Sequence, residues 1–468
     1  MIPLSAAEIA GITGGELHNI APEAIIDGTV VTDSRLASSG SIFVAIPGER
    51  ADGHDYVTTA THRGAALSLV SRPVAGPHVV VPDTVAALGD LARAVLKRLR
   101  ETGDIRVVGV TGSVGKTTTK DLLAHVLGRF GATVAPRASF NNEIGLPLTV
   151  LEATAHTRYL VLEMGASGRG HIDYLTAIAP LDVAVVLVVG QAHLEGFGTL
   201  EDVAEAKAEI VAGLLPAGTA VLNADDDRVA AMAAEAAGPV VTFGREAGAD
   251  LRARDVTLDD EARARFTLEV RTNGADGRDA YPVTLAVRGE HQVFNSLAVC
   301  GAAFAMGLDL AQVSRGLAEA SIVSPHRMAL RPGPHGAVLL DDAYNANPDS
   351  VAAALRALAR MPGDRHIAVL GDMLELGEAA ESHHRHIGRL AGERAGLVIG
   401  VGRYGEHVAG AARHAGARAA ALADVAEAAA QLSAQLREGD VVLLKGSNGS
   451  GIWQLADRLA AEGATDQP

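Results

Sequence analysis

The run Thr111-Gly-Ser-Val-Gly-Lys-Thr-Thr-Thr119 constrains the fold of this chain more than any other feature. It follows a β-branched stretch at 105–110 and leads into helical spacing over 116–130. A glycine-rich turn between a strand and a helix cradles phosphate. Gly112 and Gly115 let backbone N–H groups face anionic oxygens, and the helix N-terminus adds its positive dipole end. Thr111, Gly112, Ser113, Val114, Gly115 and Thr118 would wrap a triphosphate, Lys116 would reach its β- and γ-phosphates, and the Thr117 hydroxyl would hold Mg²⁺. Val110 stands where the strict pattern has glycine, but Gly-x-x-Gly-Lys-Thr is intact. ATP and Mg²⁺ are therefore the expected cofactors.

A phosphate loop needs a parallel sheet around it, and the flanking sequence supplies the elements. Strand candidates lie at 78–81, 159–162, 183–189 and 220–222, with a helical pattern at 84–100. Residues 250–288 alternate apolar and polar around a Gly/Asp-rich link, as a peripheral antiparallel patch would. From Ser324 onward a second alternation begins, with strands predicted at 338–340, 366–370, 397–401 and 441–444 and helices at 350–360 and 425–436. The expected fold class is α/β in three domains. These are a small N-terminal α/β domain (1–103), a central phosphate-loop domain with a parallel sheet (104–324) and a C-terminal Rossmann-like domain (325–468). Residues 462–468 read as a frayed tail.

Composition narrows the functional classes. A chain of 468 residues carrying a formal charge of −16 is a poor general nucleic-acid binder. The single cysteine, Cys300, permits no intrachain disulfide and fits a reducing compartment. No Lys or Arg lies among the first fifteen residues, and Glu8 interrupts their apolar positions, so a secretory signal is not expected. The apolar runs are too short to span a bilayer. A cytoplasmic monomer without a transmembrane segment is the expectation.

Carboxylates and imidazoles at strand ends are the metal candidates, because ligands bind at the C-terminal edge of parallel sheets. Glu163 ends one strand, and His193 and Glu195 follow another. Taken alone, a strand-end Glu is ordinarily solvated and a lone His is ordinarily a loop residue. Lys207 sits in a helical stretch, where most lysines are simply solvated. The cluster of His383, His384 and His386 could in principle hold metal, but a solvated helix face is the simpler reading.

A longer set of runs carries a resemblance. Phe140-Asn-Asn-Glu-Ile-Gly-Leu-Pro147, Leu162-Glu-Met-Gly165, Ala192-His-Leu-Glu-Gly-Phe-Gly198 and Ala206-Lys-Ala-Glu209 accompany the phosphate loop. Leu340-Asp-Asp-Ala-Tyr-Asn-Ala-Asn-Pro348, Leu370-Gly-Asp-Met-Leu-Glu-Leu-Gly377 and Leu444-Lys-Gly-Ser447 follow. Together they resemble the Mur ligases of bacterial cell-wall synthesis, from Thr32-Asp-Ser-Arg35 to Ser447. The third-domain runs resemble the branch of that family that adds D-alanyl-D-alanine to UDP-N-acetylmuramoyl-tripeptide.

The resemblance implies an ATP-dependent amide ligase working through an acyl phosphate, with these two substrates as its partners. It implies catalytic roles for Lys116, Glu163, His193 and Lys207. Thr117, Glu163, His193 and a carbamylated Lys207 would hold metal, and Asn295, Arg327 and Asp342 would complete the ATP site. Ser34 and Arg35 would meet the uridine-diphosphate end of the substrate, Asn141 and Asn142 its sugar and peptide, and Tyr344, Asn345 and Asn347 would join the substrate site. The chain departs from the family's usual pattern at Ala138-Ser139, Gln292, His326 and Asn448. Two other readings remain open at this level: a different amide ligase of this fold, such as a folylpolyglutamate synthetase, and a nucleotide-binding switch that ligates nothing.

Overall fold

The structure, a computed structural model, describes residues 1–48, 51–190, 197–271 and 277–465. Its centre is a nine-stranded sheet. The strand Arg106–Thr111 lies inside it, hydrogen-bonded in parallel to Tyr159–Glu163 on one side and Leu181–Val186 on the other. Chain order reverses across this strand, which makes its C-terminal end the crevice of an open α/β sheet. Beyond Leu181–Val186 come Leu214–Asn223, Val240–Gly244 and Leu251–Leu258, all parallel. Arg263–Arg271 and Arg278–Arg288 then close that edge in antiparallel fashion. The expected antiparallel patch is thus an extension of the central sheet.

Alternating side chains feed two cores. Val107, Leu160, Leu162, Ala184 and Val186 point to one face. Val108, Val110, Val161, Val183 and Val185 point to the other, where the phosphate-loop helix Lys116–Leu127 and the helix Gln292–Ala305 cover them. Strands buried on both faces explain why the sequence runs are continuously apolar.

The N-terminal region forms a five-stranded sheet with one antiparallel edge strand, Glu16–His18. Its long helix Thr84–Thr102 joins the same core as the central sheet. The C-terminal region forms a six-stranded sheet in which Val338–Asp341, Asp440–Lys445, Arg365–Leu370, Leu397–Val401 and Arg418–Leu422 run parallel. An antiparallel edge strand, Ala329–Pro332, was not foreseen: its apolar content is too low to stand out. Residues 462–465 also differ from expectation. They continue the helix Ile452–Thr465, which packs Leu455, Ala456 and Leu459 into the core.

Candidate active site

The loop after Arg106–Thr111 turns on two glycines. Gly115 has φ +87°, and a Cβ there would lie 2.4 Å from Asn295 Oδ1. Only glycine allows both that conformation and that approach. Gly115 caps the helix Lys116–Leu127 without a side chain, leaving the first N–H groups open to an anion. Ser113 locks the loop to its neighbour, since its Oγ donates to the Gly190 carbonyl (3.0 Å) and accepts from the Gly190 N–H (2.8 Å). The Thr111 hydroxyl is held by the Met164 carbonyl at 2.8 Å.

Lys116 Nζ donates to the Gly112 carbonyl at 2.8 Å. Desolvation lowers its pKa, the Glu163 carboxylate opposes that shift and the Arg327 guanidinium adds to it. Glu163 is only 1% exposed. Its Oε1 accepts from Asn141 Nδ2 (2.8 Å), while its buried Oε2 has no hydrogen-bond partner. A buried carboxylate oxygen left unpaired is costly, and a cation would satisfy it. Thr117 and Glu163 therefore fit Mg²⁺ as oxygen ligands. Of the other expected ligands, His193, like its neighbour Glu195, lies outside the described residues.

Arg327 comes from the C-terminal region yet reaches the loop. Its Nη2 donates to Thr117 Oγ1 (3.0 Å) and Ser139 Oγ (3.2 Å), and its guanidinium lies 4.2 Å from the centre of the Tyr344 ring. Beside it, Asp342 Oδ2 accepts from Lys445 Nζ at 2.6 Å, and the same ammonium donates to the Asn345 carbonyl at 3.0 Å. These groups and the phosphate loop line one cavity of about 740 Å³, which also holds Glu163 and Asn295. Asn295 Nδ2 donates to Gln292 Oε1 at 2.8 Å. Burial takes the neighbouring His291 down to about 4, so its ring is neutral near pH 7.

A second cavity, of about 600 Å³, lies beyond Lys116 and Asn141, which line both. Lys207, Asn142, His171 and Tyr174 line it too. Lys207 projects from the helix Leu200–Ala212 and is 4% exposed. Burial, and then the charge of Lys116, bring its pKa down to about 7. A buried amine whose pKa lies near neutrality is chemically available, unlike a solvated surface lysine.

Three predicted site residues have additional duties. Asn142 Oδ1 accepts from the Gly145 N–H (2.9 Å), and Asn347 caps the helix Pro348–Leu358 through the Ser350 N–H (2.8 Å). Arg35 is exposed and forks onto Asp33, at 3.0 Å from Nε and 2.6 Å from Nη2. That guanidinium holds the Asp33 carboxyl down to about 2. Ser34 and Arg35 line neither cavity and sit apart in the N-terminal sheet region.

The histidine cluster divides. His386 is exposed beside Arg389, whereas His384 is buried, stacks on Tyr404 at 4.3 Å and accepts from the Met373 N–H at 2.9 Å. It is a packing residue, and no group of three metal-ligating side chains exists among the described residues. Sequence reasoning missed Ser139 and Lys445 as site residues. Lys445 had a signal, a charge ending a buried strand, the same one that drew attention to Glu163. Ser139 had none.

Comparison with known proteins extends this geometry. Family models described as the Mur ligase middle domain, the Mur ligase glutamate ligase domain and the Mur ligase family catalytic domain match residues 110–303, 326–448 and 29–95. The UDP-N-acetylmuramoyl-tripeptide–D-alanyl-D-alanine ligase of Mycobacterium tuberculosis is 43% identical, the match covering 99% of this chain and 98% of that protein. The ligase of the same name from Escherichia coli is 35% identical, covering 99% and 100%. Among solved structures, MurF from Acinetobacter baumannii superposes with a TM-score of 0.84 at 33% identity, covering 98% of this chain and 99% of that one. MurF from Thermotoga maritima in complex with ADP gives 0.77 at 31%, covering 93% and 98%. Phosphate loop, paired cavities and relatives agree along the length of the chain, which belongs to the Mur ligase family.

Proposed function

We propose that this chain joins D-alanyl-D-alanine to UDP-N-acetylmuramoyl-tripeptide at the expense of ATP, in peptidoglycan synthesis. The observation that carries the reading is that Lys116 and Asn141 line both cavities, so a triphosphate on one side and a carboxylate on the other would meet across them. A carboxylate oxygen attacks the γ-phosphorus, the bond to the bridging oxygen breaks, and ADP leaves. The dipeptide amine then attacks the acyl carbon of the acyl phosphate. Phosphate departs, the amide forms, and the amine's surplus proton passes to solvent. The first step brings two anions together, and the chain's own answer is Lys116, Arg327 and the open helix N-terminus.

Mg²⁺ would be held by Thr117 and Glu163, with His193 at a second Mg²⁺, and would neutralise charge on the transferring phosphoryl group. Asn295 would meet the adenine, and Asp342 would meet the nucleotide from the opposite wall. Ser34 and Arg35 would take the uridine-diphosphate end of the donor, Asn141 and Asn142 its sugar and peptide. Tyr344, Asn345 and Asn347 would border the acceptor. The division into 1–103, 104–324 and 325–468 assigns donor binding, nucleotide binding and closure to successive domains. The chain would act as a monomer, and the lone buried thiol of Cys300 fits a cytoplasmic setting. Among the described residues no helix is long and apolar enough to cross a membrane.

Lys207 would act as a carbamate. Its neutral amine adds to CO₂ and releases a proton, leaving an N-carboxylate that would supply negative charge towards bound Mg²⁺. With the pKa near 7, the amine is largely ammonium a unit below neutrality and largely neutral a unit above. Carbamate therefore rises with pH through that window. A ¹³C-carbamate resonance in labelled bicarbonate should grow from about pH 6 to pH 8 in the native protein. It should be missing from Lys207→Met, and a resonance that persists in the variant assigns it elsewhere.

The decisive assay follows phosphate release from Mg-ATP with the UDP-linked tripeptide, with and without D-alanyl-D-alanine. Release that needs both, with a UDP-linked pentapeptide as product, is the expected result. Turnover stimulated by another amine would overturn the acceptor assignment, and ATP binding with no amine-dependent turnover would overturn ligation itself.

A further inference from the structure

A lysine is among the last residues expected at zero exposure, yet Lys120 is 0% exposed and its neighbour Asp121 only 4%. Neither lines either of the two cavities. Lys120 Nζ donates to three acceptors: Asp121 Oδ1 (2.5 Å), the Pro136 carbonyl (2.6 Å) and Ser324 Oγ (3.0 Å). Asp121 Oδ2 in turn accepts from the Ser324 N–H at 2.9 Å. The pair is fully satisfied, as a buried pair must be to persist. What it satisfies is the segment entering the C-terminal domain.

Ser324 is pinned to the central domain, whereas the residues just after it are pinned to the C-terminal domain. His326 Nδ1 pairs with Asp341 Oδ2 at 2.8 Å, the His326 carbonyl accepts from the Tyr344 N–H at 3.3 Å, and the Met328 N–H donates to Asp342 Oδ1 at 3.2 Å. The changeover falls on Pro325 and His326. Proline restricts one φ, and His326 takes φ +57°, with Met328 at +52°. Left-handed backbone at two non-glycine residues around Arg327 persists only where the surroundings enforce it.

The spacing gives the pair its meaning. Thr117 lies one helical turn before Lys120, Ser139 three residues after Pro136, and Arg327 three residues after Ser324. Thr117 and Ser139 are the two hydroxyls that Arg327 reaches. One ammonium therefore fixes the bases of all three elements that meet at the phosphate loop. We propose that Lys120 and Asp121 are positioning residues for the ligase reaction, forming the fixed pivot from which the linker at Ser324 delivers Arg327 to the loop. The proposal rests on the ligase reading for its effect on turnover, but its effect on nucleotide binding stands apart from that reading.

The test is a double-mutant cycle on the full chain. Ser324→Ala and Asp121→Asn are each made alone and in an Arg327→Ala background. Each protein is measured for kcat/KM in phosphate release, for affinity towards a non-hydrolysable Mg-ATP analogue, and for its thermal midpoint. Ser324→Ala removes a single hydroxyl and guards against a variant that merely unfolds. In the native background both substitutions should lower kcat/KM about tenfold and weaken analogue binding, while Ser324→Ala leaves the midpoint nearly unchanged. In the Arg327→Ala background both losses should shrink to less than about twofold. Equal losses in the two backgrounds, or no loss for either substitution, would overturn the pivot. Failure of the unmutated protein to release phosphate with both partners would sink the ligase reading instead, and the cycle would then be decided on analogue affinity.

Discussion

The two walls of the nucleotide cavity are made in different ways. The central-domain wall is backbone: a strand, two glycines and the open end of the helix Lys116–Leu127 present N–H groups that are in place before any ligand arrives. The opposite wall is side chain: Arg327 reaches Thr117 through a hydrogen bond, with the Tyr344 ring against its guanidinium and the Asp342–Lys445 ion pair beside it. Backbone dipoles fixed by a sheet lose nothing when they bind, whereas long side chains must be held in place to be useful. The first wall should therefore tolerate no change at its one essential side chain, and the second should degrade in steps.

The largest effect belongs to Lys116→Ala. It removes the cationic side chain that the phosphate loop itself contributes, between the two cavities, so kcat for phosphate release should fall about 10³-fold. Calorimetry with a Mg-ATP analogue should show a much smaller loss of affinity, because the loop N–H groups remain. A comparable loss in both would mean that the lysine binds ground state and transition state alike. Arg327→Ala should come next, at about 10²-fold in kcat/KM. Arg327→Lys should recover little, since one compact ammonium cannot both span Thr117 and Ser139 and stack on Tyr344. Full recovery by lysine would reduce the second wall to plain charge.

Glu163→Gln probes the seam between the walls. Its orphaned Oε2 is the observation behind the Mg²⁺ assignment, and the amide keeps the size and the bond from Asn141. The Mg²⁺ concentration for half-maximal turnover should rise about tenfold or more, and saturating Mg²⁺ should restore most of kcat. Titration of Mg²⁺ against phosphate release measures this directly. An unchanged requirement would move the metal away from Glu163.

The same contrast decides what could be read from the sequence. The backbone wall was legible because a phosphate loop is a local pattern: Gly112, Gly115 and Lys116 are neighbours in the chain, and the apolar strands around them are buried on both faces. Glu163 was marked as a candidate because it ends such a strand, but only the resemblance gave it a role. The second wall was reached at Arg327 and Asp342 only through resemblance, since nothing local marks an arginine that will cross to another domain. Ser139 was invisible because its partners, Thr117 and Arg327, are distant in sequence and a serine carries no pattern. No local pattern singles out Lys120 and Asp121, neighbours on the helix Lys116–Leu127. Their burial depends on Pro136 and Ser324, whose approach is a property of the tertiary fold.

Asn347 should give the smallest effect and the finest division of the second wall. Its side-chain oxygen accepts from the Ser350 N–H at 2.8 Å and begins the helix Pro348–Leu358, yet it also borders the nucleotide cavity. As a cap alone, Asn347→Ala should lose about 1 kcal/mol of stability, and Asn347→Asp should retain it because a carboxylate caps equally well. The aspartate would nevertheless place a negative charge on a cavity built for anions. If Asn347 faces substrate, Asn347→Asp should keep the thermal midpoint and raise KM several-fold, while Asn347→Ala lowers the midpoint and changes KM less. If both variants change only the midpoint, or neither changes KM, Asn347 belongs to the helix and not to the substrate. The acceptor side of the wall would then rest on Tyr344 and Asn345.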